Sequence, residues 1–170
     1  MLQTRNVVSK DDAFLFELFI TTRKDEFSML ALDEQQLHAL LHMQYEAQKR
    51  SYQHNFPQAK HEIIYHEGLQ IGRVMIENKS GNIHLIDISL LPDFRGKGYG
   101  TELLKQLQSY AVNQKMSVTL HVLQDNPARR LYERCGFFVT GEIVPYIAMR
   151  FESSCKKIEF SIKFKGGENK

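Results

Sequence analysis

Cysteine is scarce. Cys135 and Cys155 are the only two in 170 residues. No spacing pattern pairs them, which argues against a disulfide framework and for a reducing compartment. Long apolar runs are missing as well: no stretch approaches the ~20 residues that span a bilayer. Met1 to Lys10 is polar, and the apolar residues after it are broken by Glu17 and Arg23, so no secretory signal is expected. Together these features predict a cytoplasmic protein with no membrane partner. Nor is there an excess of one charge. Lys and Arg number 22 against 20 Asp and Glu, a net +2, too small to predict nucleic acid or an anionic surface as partner. A metal cluster is also lacking. His38 and His42 share a helix face, but Ala39 and Leu40 follow His38 where a zinc peptidase helix needs glutamate, and no third ligand stands out. There are no internal repeats and no low-complexity segment.

What remains is ordinary for one globular domain: 42% apolar and 25% charged residues, enough to bury a full core. The pattern predicts an α/β alternation. Val7 and Val8 suggest a first strand. Ser9 and Asp33 are placed to cap two helices, one carrying Phe14, Leu15, Leu18 and Phe19, the other Leu37, Leu40, Leu41, Tyr45 and Tyr52. Glu62 to Tyr65 and Ile71 to Glu77 read as strands around a Glu67-Gly68 turn. Ile83 to Leu91 is nearly continuous apolar sequence, as a central strand requires. Thr101 to Gln114 reads as a helix, Val118 to Leu123 as a strand and Ala128 to Cys135 as a helix. Phe137 to Val139 and Pro145 to Phe151 read as closing strands.

Between the central strand and the helix at Thr101 lies Arg95-Gly96-Lys97-Gly98-Tyr99-Gly100. A strand, a glycine turn and a helix N-terminus form an anion site, because the first helix amides are unpaired and the helix dipole is positive there. Two familiar phosphate loops do not fit. The Walker pattern needs Ser or Thr after Gly-Lys, where Gly98 stands. In the dinucleotide fingerprint the third glycine comes later than Gly100 does.

The run Arg95-x-x-Gly98-x-Gly100, with Pro92 before it, resembles the pyrophosphate loop of the GCN5-related N-acetyltransferase (GNAT) family. A second block downstream is similar to that family's other signature: Asn126-Pro127-Ala128-Arg129-Arg130-Leu131-Tyr132-Glu133-Arg134-Cys135-Gly136-Phe137. The resemblance covers roughly Ile71 to Arg150, and it implies a central mixed β-sheet flanked by helices on both faces. Residues 1–151 would form the N-acetyltransferase domain. Residues 152–170 would be an extension in which Ile158, Phe160, Ile162 and Phe164 alternate with polar residues, as in an added strand that completes the sheet or reaches a second subunit of a homodimer.

The resemblance further implies acetyl-coenzyme A as co-substrate and a small-molecule or peptide amine as acceptor. The backbone of Arg95, Gly96, Lys97, Gly98, Tyr99, Gly100 and Thr101 would hold the pyrophosphate, with the Arg95 side chain fixing the loop. Ile88, Ser89 and Leu90 would meet the pantetheine arm through backbone groups, the Leu90 amide acting as oxyanion donor. Asn126 is either a helix-start residue or a cofactor contact. Tyr132 is either core or the acid that protonates the leaving thiolate. For the general base, Asp87, His121 and a water chain all stay open; strand alternation puts Asp87 on one face with Leu85 and Ser89. The function implied is acetyl transfer to a primary amine by direct attack. The rival is a non-catalytic acyl-coenzyme A-binding module of the same fold.

Overall fold

The computed structural model describes residues 1–153, in which seven strands alternate with four α-helices. The strands are β1 (Gln3–Asn6), β2 (Lys60–His66), β3 (Leu69–Lys79), β4 (Asn82–Leu90), β5 (Ser117–Leu123), β6 (Phe138–Ile143) and β7 (Tyr146–Phe151). The helices are α1 (Asp12–Arg23), α2 (Glu34–Asn55), α3 (Tyr99–Asn113) and α4 (Ala128–Arg134). The extension from Lys156 to Lys165 lies outside the described residues.

One open sheet runs β1-β2-β3-β4-β5-β7-β6. Every neighbouring pair is antiparallel except β4 with β5. That pair is joined through α3, and a parallel connection needs such a crossover. The α1 and α2 helices cover one face through Leu15, Phe19, Leu41 and Tyr45 over Ile63. The α3 and α4 helices cover the other, where Leu103, Leu104 and Tyr132 pack on Ile64, Ile83, Leu85, Val118, Leu120, Ile147 and Met149.

Asp33 caps α2 as the sequence predicts: its carboxylate accepts from the Gln36 amide at 2.8 Å, and the Gln36 side chain accepts from the Asp33 amide at 3.1 Å. The first strand differs. It is Gln3–Asn6, because Asp11 is buried under the chain, takes the Val8 amide at 2.8 Å and is clamped by Arg5, so that Val8, itself extended, caps a short 3-10 turn at Ser9–Asp11. Helix α3 also begins earlier than Thr101, at Tyr99.

The decisive irregularity is in β4. Met75 pairs with Asp87 and Ile76 with Leu85, so Ile86 is an extra residue, a β-bulge. A bulge shifts the alternation by one and bends the strand. Leu85 therefore packs towards α3, while Asp87 lies beside Arg73 on the α2 side. The expected shared face of Leu85 and Asp87 is thus corrected; Asp87 and Ser89 do share one.

Candidate active site

The β4–β5 ladder runs from Asn82–Ser117 to Leu85–Leu120 and stops at the bulge. Beyond it β4 stays with β3 as far as Leu90–Gly72, and β5 stays with β7 as far as Leu123–Tyr146. The two central strands part, and the edge of β4 from Ile86 to Leu90 faces an opening. The Ser89 carbonyl is turned to β3, where it lies over Gly72, and the Leu91 amide donates to the Ile71 carbonyl at 2.8 Å. Alternation then turns the Leu90 amide between them to the open side.

The glycine loop follows directly. Gly98 is the N-cap of α3 at φ 89°, a left-handed conformation that a side chain would strain, and no side chain caps the helix. The first helical bond runs from the Glu102 amide to the Gly98 carbonyl at 2.9 Å. The amides from Gly96 to Thr101 meet no backbone acceptor among the described residues, so they suit the oxygens of a pyrophosphate. Arg95 is turned away from them: its Nε donates to the Leu90 carbonyl at 2.7 Å and an Nη to Thr21 Oγ1 at 3.2 Å. Lys97 lies over the Phe94 ring and Tyr99 against His66. Thr101 opens a groove of about 710 Å³ along the outside of α3, with Lys105 in its wall.

Asn126 accepts from the Ala128 amide at 2.9 Å through Oδ1, which starts α4 and leaves its amide nitrogen for other use. Tyr132 is 6% exposed, its ring edge-on to Phe137. Burial first, and then the charge of Asp87, push its hydroxyl above the ordinary tyrosine range rather than leaving it there. A proton is therefore held on it at neutral pH.

Asp87 is committed: Arg73 Nε meets its carboxylate at 2.6 Å, and Ser89 Oγ donates to it at 3.2 Å. Arg73 is itself buried, donates to Gln48 Oε1 at 3.0 Å and lies against the Tyr52 ring. Burial, then Asp87, push Tyr52 up to about 12. His121 is exposed on the same face, the first such residue of β5 beyond the ladder, with His84 edge-on at 5.4 Å. Burial, then His121, lower His84 below the ordinary histidine range. Sequence reasoning missed Gly72 and Arg73. A glycine and a charge inside the apolar run of β3 were the available signal.

A profile of the acetyltransferase (GNAT) family matches residues 16–137. The chain belongs to that family, whose acyl donor is acetyl-coenzyme A. Among solved structures, it is similar to the PaiA N-acetyltransferase of Thermoplasma acidophilum in complex with coenzyme A, at 16% identity and TM-score 0.67, over 89% of this chain and 99% of that one. It is also similar to the spermidine N-acetyltransferase of Vibrio cholerae in complex with coenzyme A and spermine, at 20% identity and TM-score 0.61, over 89% and 95%. A third likeness is to the ribosomal-protein-S18-alanine N-acetyltransferase of Escherichia coli, at 16% identity and TM-score 0.61, over 94% and 98%. These likenesses establish the fold. No curated protein matches the chain by sequence.

Proposed function

We propose that the chain transfers an acetyl group from acetyl-coenzyme A to a primary amine by direct attack, with both substrates bound at once. The observation that carries this reading is the opening between β4 and β5 immediately before an uncapped glycine loop. Bound there, acetyl-coenzyme A supplies an activated acetyl group. The amides from Gly96 to Thr101 hold its pyrophosphate against the positive end of α3. The free edge at Ile88, Ser89 and Leu90 pairs with its amide-bearing arm as an added strand would, and Asn126 donates to the same arm.

The Leu90 amide donates to the oxygen on which charge develops as the amine attacks. Tyr132, which keeps its proton, donates it towards the departing sulfur. We assign removal of the amine proton to His121 rather than Asp87. A carboxylate ion-paired with Arg73 at 2.6 Å is a weakened base, whereas His121 is open to the acceptor face. Asp87 then keeps Arg73 in place beneath Tyr52.

The test is thiol release from acetyl-coenzyme A across a panel of amines. Amine-dependent release is expected, and Tyr132→Phe is expected to lower turnover by ~10²–10⁴-fold while coenzyme A affinity holds. Tight coenzyme A binding with no release for any amine would make the chain a binding module instead.

A further inference from the structure

We propose that the acceptor is an amine carrying a bulky apolar group next to its nitrogen, such as a hydrophobic amino-acid amide or peptide N-terminus, rather than a polycation. This rests on the acetyl-transfer reading. The donor fills the slot from the glycine loop, so the amine must come from the α1/α2 face, where Asp87, Ser89 and His121 stand.

Two segments on that face expose apolar side chains. Register puts Leu123, Tyr146 and Ile143 in one row across β5, β7 and β6; they are 43%, 46% and 65% exposed. The row lies on the His121 side, because Val122 and Ile147, the alternate residues, are buried towards α3 and α4. On the side of the sheet that α1 and α2 cover, the stretch between those helices exposes Met29, Leu30 and Leu32. The end of α1 stands by the opening, where Thr21 accepts from an Nη of Arg95 at 3.2 Å, and Tyr52 of α2 lies against Arg73 on the floor.

The charge here nearly cancels. Arg73 is matched by Asp87 and Arg23 by Glu26 at 3.1 Å; of the other charges up to the start of α2, Lys24 stands against Asp25 and Glu34, and Asp33 is taken up in capping α2 at 2.8 Å. A polycation needs an excess of carboxylate to repay its lost hydration. Instead, the exposed apolar side chains suit an uncharged apolar group, and a row of exposed apolar residues such as Leu123, Tyr146 and Ile143 beside a cleft marks a binding site.

The experiment compares kcat/KM for phenylalanine amide and leucine amide with that for glycine amide and spermine. The apolar amides are expected to lead by about tenfold or more. Leu30→Ser and Ile143→Ser should raise KM for phenylalanine amide by a similar factor, leaving KM for acetyl-coenzyme A and for glycine amide unchanged. Preference for spermine or glycine amide, or variants that leave the phenylalanine amide KM unmoved, would overturn the inference while acetyl transfer stands. So would variants that dissolve a dimer without touching KM, since the residues would then serve an interface between copies. No thiol release with any amine would remove the acetyl-transfer reading, and this inference with it.

Discussion

Gly72 and Ser89 touch through their backbones: a Cβ placed on Gly72 would lie 2.2 Å from the Ser89 carbonyl oxygen. Strand β3 thus presses against the end of β4 where the two central strands have already parted. No flexible side chain stands between them to yield.

Gly72→Ala is therefore expected to push the Ser89–Leu90 segment into the opening. Overpacking of this kind costs about 1–3 kcal/mol, so the melting temperature should fall. The same displacement should weaken coenzyme A binding, although residue 72 touches no ligand in the proposed mechanism. Calorimetric melting and a coenzyme A titration on one sample check both effects. An alanine variant with unchanged affinity would show that the β4 end does not position the donor.

Gly98→Asp places a side chain at φ 89° and a negative charge among amides suited to phosphate. Coenzyme A at ~100 times its dissociation constant should stabilise the native protein by about 2.7 kcal/mol. The variant should lose that gain. A ligand-induced melting shift that survives the change would put the phosphate elsewhere.

Asp87→Asn and His121→Gln should behave differently. The first leaves Arg73 buried without its anion, and breaking such a pair costs on the order of 3 kcal/mol, so stability and activity fall together. The second removes an exposed ring, so turnover should drop with little change in the melting temperature. Comparing denaturant midpoints with turnover separates the two. Full turnover in His121→Gln would transfer the proton to water.

His61 gives a pH dependence of stability. Burial, then Arg73, lower it to about 4 in the folded protein, against ~6.5 unfolded. Above pH ~6.5 both states are neutral and the native state is at full stability. Between pH ~6.5 and about 4 only the unfolded chain takes up the proton, so stability falls as pH falls. Urea midpoints across that window should decline, and His61→Gln should flatten the slope.

Much of this was legible in the sequence because the signals were chemical. Gly98 and Gly100 between an apolar strand and a helix, and Tyr132 in its signature run, carry meaning in their residue types. The family match to residues 16–137 agrees with the resemblance drawn from those residues. Ile86 carried no such meaning. Nothing in Leu85-Ile86-Asp87 distinguishes a bulge from plain alternation, because the extra residue is defined by the partner strand. The ion pair of Arg73 with Asp87 was hidden for the same reason, being a cross-strand fact. The start of β1 is not legible for a similar reason: Val7 and Val8 look like a strand until Asp11 folds back beneath them.

Helix α3 begins with donors that nothing in the described chain accepts. In hydrogen exchange, the amides of Tyr99, Gly100 and Thr101 should lose their protons to heavy water early, ahead of Leu103 and Leu104 one turn along. A bound anion would reverse that order locally. The first turn of α3 is thus a built-in reporter of occupancy, one that needs neither a label nor knowledge of the acceptor.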